Sequence, residues 1–547
     1  MLHKLKRIYG DSVGTETYHK LLSLIGETPA KHAPLAIDET DVILITYGDQ
    51  VHTEGEAPLK TLHTFLNKTI QGVIKGVHIL PFYPYSSDDG FSVIDYYAVN
   101  PDFGTWDDVN ALHDDFRLMF DAVFNHISAQ SAWFQGFIKG EEPYKDYFTV
   151  VPEDTDLSAV VRPRTLPLLT PVETPDGIKH VWTTFSADQV DVNAANPDVL
   201  LELIQVLLFY VMHGASFIRL DAIAFLWKEI GTNCIHLEKT HLIIQLMRDV
   251  LDRVAPHVIL ITETNVPHEE NISYFGNGKN EAQMVYQFPL PPLTLHTLRT
   301  GDATKLSNWA DSLGNPGKRT TYFNFTASHD GIGMRPTTNI LTQDEIDALV
   351  QLAKDHGGLV SYRHVPGQPP SPYELNISYF DAITDPKVTA ENPDVAVDRF
   401  IVSQAIQLSL AGVPGIYFHS LFGSRNDHAG YEKTQQNRTI NRQKFDVELL
   451  EDELKHGIRQ QVYSRYQELL RVRTSHKAFH PLGEQKILQL HPGVFAVQRT
   501  HDGSTVLALH NVTPQAIDLP NITGRDLFPH SGDHTLIPYE VRWLIQD

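Results

Sequence analysis

The chain has 547 residues, which at roughly 150 residues per domain means three to four domains or one large barrel with additions; its 42% hydrophobic and 20% charged content is ordinary globular usage. With 67 acidic against 44 basic side chains the formal net charge is -23, which repels phosphate backbones and argues against a nucleic acid partner. The one cysteine, Cys234, excludes an internal disulfide framework and a multi-cysteine metal site, and suits a reducing, cytoplasmic compartment.

No long apolar run follows the basic residues of MLHKLKRIYG, so a secretory signal is not expected. Eight short runs rich in Val, Ile, Phe and Tyr then begin near Asp41, Gly76, Phe116, Ala215, His257, Glu281, Thr320 and Val413. Being apolar throughout instead of alternating, they predict parallel strands covered on both faces. Helix-like segments lie between them, among them Trp106 to His113, Val199 to His213 behind the capping pair Asn196-Pro197, and His236 to Val254. The second of these, the most apolar stretch of the chain, is interrupted by Glu202 and Gln205 and falls short of the ~20 apolar residues a membrane helix needs, so no membrane partner is expected.

Strand and helix in alternation eight times predict an α/β fold, a (β/α)8 TIM barrel. Long intervals after the third and seventh strands interrupt it. The first predicts a small inserted domain over 127–196, between barrel parts 1–126 and 197–475. The second, over 331–412, contains HVPGQPPSPYELN and predicts an active-site loop region. From 476 to 547 short alternating runs with a DG turn predict a C-terminal β-domain.

The site of such a barrel lies at the carboxyl ends of its strands, where Asp221, Glu263 and Asp330 fall. Any one of them could merely cap a helix, but three together match glycosidic chemistry, which needs one carboxylate at the anomeric carbon and one acid for the leaving oxygen. Arg219, two residues before Asp221, shares its side of the strand and is expected to keep it ionised. In HLEKTH, His236 and His241 stand about 140° apart on a helix, too far round to share a zinc ion. No phosphate-binding loop or dinucleotide fingerprint occurs, and no cofactor is expected.

The fragments DAVFNH, FIRLDAIAF, ILITETN and FTASHD resemble, in order and spacing, the four motifs of glycoside hydrolase family 13, the α-amylase superfamily. Within it, LPFYPYSSDDGFSVIDYYAV, RPRTLPLLTP, VWTTFS and QFPLPPLTLH are similar to the sucrose phosphorylase branch, and KEIGTNCIHLEKTH, TETNVPHEENISYFG and FHSLFGSRND most resemble its glucosylglycerate phosphorylases. The resemblance implies a retaining hexosyltransferase that passes an α-glucosyl group from a small α-glucoside to inorganic phosphate. Asp221 would be the nucleophile, Glu263 the general acid/base and Asp330 the group gripping ring hydroxyls. Arg219, His126 and His329 would complete the pocket, Asp88 and Arg442 would meet the far hydroxyls, and Phe91 and Phe185 would wall the ring. Arg164 and Tyr373 would meet phosphate, and Glu374 the acceptor. It implies no metal, although amylases hold calcium near the counterpart of Asn125. The residues do not choose among glycerate, glycerol, fructose and fructose 6-phosphate as acceptor. Glycerate would want a cation, for which Arg164, Arg335 and Arg425 are available, whereas the charge of Glu374 suits a neutral acceptor.

Overall fold

The eight apolar runs form a closed parallel barrel of β1 (Ile43–Thr46), β2 (Gly76–Ile79), β3 (Arg117–Val123), β4 (Ala215–Asp221), β5 (Ile259–Thr262), β6 (Met284–Tyr286), β7 (Thr321–Phe325) and β8 (Val413–Tyr417). A computed structural model describes residues 1–26, 37–163, 166–315, 317–363, 369–528 and 534–546. Strands adjacent in sequence are adjacent in the barrel, and β8 closes it on β1 through the pairs Ile43 with Gly415 and Ile45 with Tyr417. Every residue of β1, β2, β5, β6, β7 and β8 is buried, since helices cover one face and barrel side chains fill the other; hence the unbroken apolar runs. The helix Pro197–Met212 starts as its sequence predicts: the Asn196 side chain accepts from the Asp198 N–H at 3.0 Å, and Pro197 sits at the first helical position, where no N–H is needed.

Between β3 and β4 the chain leaves the barrel and forms two antiparallel pairs, His126–Ser128 with Gln189–Asp191 and Leu169–Thr174 with Gly177–Trp182. Asp188 fastens this excursion to the loop after β2, accepting from the hydroxyls of Ser86 (2.6 Å), Ser87 (2.5 Å) and Ser92 (2.8 Å). Within that loop Asp88 and Asp89 adopt left-handed φ angles of 52° and 51°, and Gly90 has φ 111° where a Cβ would lie 2.6 Å from the Pro81 carbonyl oxygen. Such backbone costs on the order of 1–3 kcal/mol per residue and tends to mark functional sites. A second tie is a buried ammonium: Lys228 Nζ lies 2.9 Å from Asn125 Oδ1 and 2.7 Å from Asp191 Oδ2, and Asp191 also accepts from the Thr184 N–H and hydroxyl at 2.8 and 2.6 Å. The position beside Asn125 thus holds a side-chain cation.

After β7 the expected loop region is largely ordered secondary structure. A three-stranded sheet, Ile332–Gly333, Ser371–Asn376 and Leu359–Arg363 in that spatial order, lies over the barrel mouth, and the helix Pro393–Ser409 leads back to β8. The stretch SPYELN is its central strand, not a loop; Pro372 is tolerated because it stands at an irregularity opposite Tyr362. The preceding HVPGQ lies outside the described residues. The C-terminal part forms a five-stranded antiparallel sheet. Two buried arginines meet at the carboxyl end of Pro393–Ser409: Arg473 of the helix Gly457–Thr474 donates to the carbonyls of Leu408 (3.1 Å) and Gly412 (3.2 Å), and Arg499 of the sheet joins it to the barrel by donating to that of Ser409 (3.2 Å). Cations suit the negative end of a helix. Among the described residues no helix is long and apolar enough to cross a membrane.

Replacing Lys228 by Met would strand the Asp191 carboxylate in the interior, and loss of one partner of a buried pair costs about 3–5 kcal/mol. The expected outcome is a lower urea midpoint for Lys228→Met, with the wild-type midpoint unmoved by EDTA or added calcium.

Candidate active site

The site is assembled from the barrel floor upward. Asp121 on β3 stands opposite Arg219 on β4 in the strand register, and Arg219 and Asp221, two apart, point the same way. The buried Arg219 guanidinium pairs with Asp121, donates to Asp221 Oδ1 at 2.8 Å and comes within 3.9 Å of Glu263 Oε2 just beyond β5. His78 Nε2 meets the other side of Asp121 at 2.6 Å. Burial works against the Asp121 carboxylate, but Arg219 and His78 overcome it and hold its pKa down to about 2. Asp121 is therefore a fixed negative charge that anchors Arg219.

At Asp221 the balance differs from the expected one. Arg219 pulls its pKa down, as the spacing predicts, but burial is the larger effect and, helped by Glu263, Asp121 and Asp330, raises it well above the usual carboxylate range. Burial likewise raises Glu263, with Arg219 opposing and Asp330 adding to it. The mutual repulsion of Asp221 and Glu263 opposes charging both at once. The N–H donated to Asp221 at 2.8 Å, against 3.9 Å at Glu263, favours the charge on Asp221 and the proton on Glu263.

Above this pair the Phe91 ring stacks on His329, centroids 4.7 Å apart and 4° from parallel, and Phe185 lies 5.2 Å from His126. Burial lowers the pKa of both histidines, and at His329 the cations Arg219, Arg442 and Arg438 lower it further, so both rings are neutral. The central cation of this layer is Arg438, which the sequence reading missed. It meets Asp330 Oδ1 at 2.7 Å, holds Glu374 at both oxygens (2.6 and 3.2 Å) and lies 4.0 Å from Asp88. Glu374, expected to face an acceptor with a free charge, is thus compensated. Arg438 lies in NRTINR, where no spacing distinguishes it from its neighbour; only the turn Asn437–Asn441 brings it over Asp330.

One cavity, open at the mouth, is lined by Asp88, Phe91, His126, Phe185, Asp221, Glu263, His329, Asp330, Tyr373 and Glu374, together with Arg438, Gln189, Asn265, Arg335 and Arg363. Arg219 lies beneath it. Arg442 does not face it: its Nε donates to the His329 carbonyl at 2.8 Å and its Nη1 is 3.7 Å from Asp89, so it buttresses the wall from behind. Of the three arginines suited to an anionic acceptor, Arg335 lines the cavity, Arg425 is engaged with Asp381 away from it, and Arg164 lies outside the described residues. His236 precedes the helix Glu238–Val254, so helical spacing does not govern it; its ring and that of His241 both contact Tyr274, and each pairs with a different carboxylate, Glu270 and Glu281. Among the described residues no group of three or more His, Cys, Asp or Glu side chains is arranged to hold a metal ion.

Residues 69–331 match the family described as alpha amylase, catalytic domain. Over its whole length the chain is 50% identical to the glucosylglycerate phosphorylase of Allomeiothermus silvanus, covering 98% of that protein, and 49% identical to that of Spirochaeta thermophila, again covering 98%. Among solved structures it is similar to sucrose 6F-phosphate phosphorylase from Thermoanaerobacter thermosaccharolyticum, with a TM-score of 0.75 and 26% identity over 86% of this chain and 94% of that one.

Arg438→Gln would leave Asp330 and Glu374 facing one another without their shared cation. Losing the cation that orients both carboxylates at the sugar end is expected to lower kcat/KM by roughly 10- to 100-fold, the range of a lost hydrogen bond to a charged group. Steady-state kinetics on a variant with unchanged circular dichroism checks it.

Proposed function

Because the chain belongs to the α-amylase family and, within it, to the glucosylglycerate phosphorylases, we propose that it transfers the α-glucosyl group of 2-O-α-glucosylglycerate to inorganic phosphate, giving α-glucose 1-phosphate and D-glycerate. The observation that carries this reading is a buried carboxyl pair, Asp221 and Glu263, over one guanidinium, in a chain half identical over its full length to an enzyme of that activity. A cytoplasmic location accords with the single, buried Cys234.

The chemistry is a double displacement. Asp221 attacks the anomeric carbon while Glu263 gives its proton to the glycosidic oxygen, so that glycerate leaves and a β-linked glucosyl ester remains on Asp221. Phosphate enters on the face that glycerate vacates, gives a proton to the Glu263 carboxylate and displaces Asp221, restoring the α configuration. Asp330, Arg438 and Asp88 take the ring hydroxyls, and Phe91 and Phe185 cover the apolar faces of the sugar. The neutral His126 and His329 serve as hydrogen-bonding groups that add no charge near the oxocarbenium-like transition state. Tyr373, with Arg164, is assigned to phosphate. Burial of the carboxyl pair keeps bulk water from the ester, which phosphorolysis requires.

Incubating α-glucose 1-phosphate with D-glycerate, glycerol, fructose, fructose 6-phosphate or no acceptor and measuring released phosphate tests the reading. Release is expected to be fast only with D-glycerate, and equal release without acceptor would mean a hydrolase. Asp221→Ala should lose essentially all turnover, because the other carboxylate at the floor, Asp121, is engaged by Arg219 and His78. Since Glu263 must carry a proton and its pKa is raised by burial, activity should persist above the usual carboxylate range and fall as pH rises through that raised value. In Glu263→Ala this alkaline limb should vanish for α-glucosyl fluoride, whose leaving group needs no acid, as a pH profile of fluoride release would record.

A further inference from the structure

The sheet over the barrel mouth brings two arginines to the cavity from separate elements: Arg335 on the turn after the strand Ile332–Gly333 and Arg363 at the end of Leu359–Arg363. They lie beside the segment that follows Glu263. Gly333 rests against Asn265, two residues after Glu263, so closely that a Cβ there would come within 2.9 Å of the Asn265 amide nitrogen. Arg335 Nη2 is 3.7 Å from Glu270 in the short helix His268–Ile272 that follows Glu263, and Glu270 is itself held by His236 at 3.1 Å. Toward the sugar end the acids Asp88, Asp330 and Glu374 are matched by Arg438. At the mouth the balance reverses: among the described residues Glu270 is the ion-pair partner of Arg335, and the buried Nε of Arg363 has no hydrogen-bond partner. Two guanidinium groups on one cavity with a single, longer carboxylate contact give the mouth an excess of positive charge, and a carboxylate accepts from guanidinium forks in a fixed geometry that a neutral hydroxyl does not reproduce.

We infer that Arg335 and Arg363 form the carboxylate-binding end of the acceptor site and set the preference for an acceptor whose reacting hydroxyl stands next to a carboxylate. The inference rests on the glucosyl-transfer reading above. Glu270 is a positioning residue, orienting Arg335 across the mouth. Phosphate, the other anion of the reaction, passes the same arginines, so the test must separate the two.

With α-glucosyl fluoride as donor and no phosphate present, transfer to D-glycerate and to glycerol, in which a hydroxymethyl group replaces the carboxylate, is compared in the wild type, Arg335→Gln and Arg363→Gln. The ratio of kcat/KM for glycerate to that for glycerol is expected to fall roughly 10- to 100-fold in each variant, the range of a lost hydrogen bond to a charged group. A ratio unchanged in both variants would overturn the inference. So would a rise in the phosphate KM of phosphorolysis with no change in that ratio, which would assign the arginines to phosphate alone. In the wild type, glycolate should likewise be preferred to ethylene glycol; equal rates would count against a carboxylate site without reliance on any variant. Wild-type enzyme that releases fluoride but transfers only to water would instead refute the phosphorylase reading itself.

Discussion

The site depends on one guanidinium buried in the barrel. Arg219 ties together Asp121 and Asp221 and approaches Glu263, three carboxylates from three adjacent strands or strand ends. Its position follows from register: Arg219 lies level with Asp121 on β3 and with Ile261 on β5, so closure of the barrel alone sets the spacing of the acids. A charge taken from water is costly unless paired, and here the pairing is mutual. Asp121, itself held by His78, fixes Arg219, and Arg219 in turn determines which of the two reactive carboxyls carries the charge.

From this floor the charges rise in layers. Arg219 serves the reacting carboxyls, Arg438 joins Asp330 to Glu374 where a sugar ring would lie, and Arg335 with Arg363 stands at the mouth. The first two layers are compensated by acids of the chain, whereas the outer one leaves room for an anion from solution. Such an arrangement suits an enzyme that must bind a neutral glucosyl group, keep water from its ester and exchange one small anion for another.

The elements that hold these layers are unequal in character. The barrel is secured by apolar burial on both faces of its strands. The excursion after β3 is secured by polar contacts, Asp188 gathering three serine hydroxyls of the loop after β2 and Lys228 standing between Asn125 and Asp191. The serine contacts flank the left-handed turn at Asp88 and Asp89, at the sugar end of the cavity.

The sequence by itself determined the barrel and the acids at its strand ends, because unbroken apolar runs and the residues that terminate them are local properties of a strand buried on both faces. Arg219 was legible for the same reason, by a period of two. Only the tertiary structure decided which distant cation meets which acid. Arg438 over Asp330 and Glu374, Arg442 turned behind His329, and Lys228 beside Asn125 lie about 60 to 110 residues from their partners, where no periodicity operates. The protonation balance of Asp221 was equally out of reach. Neighbouring residues gave the sign of the effect of Arg219, but burial, which outweighs it, is a property of the closed cavity and exists only once the chain has folded.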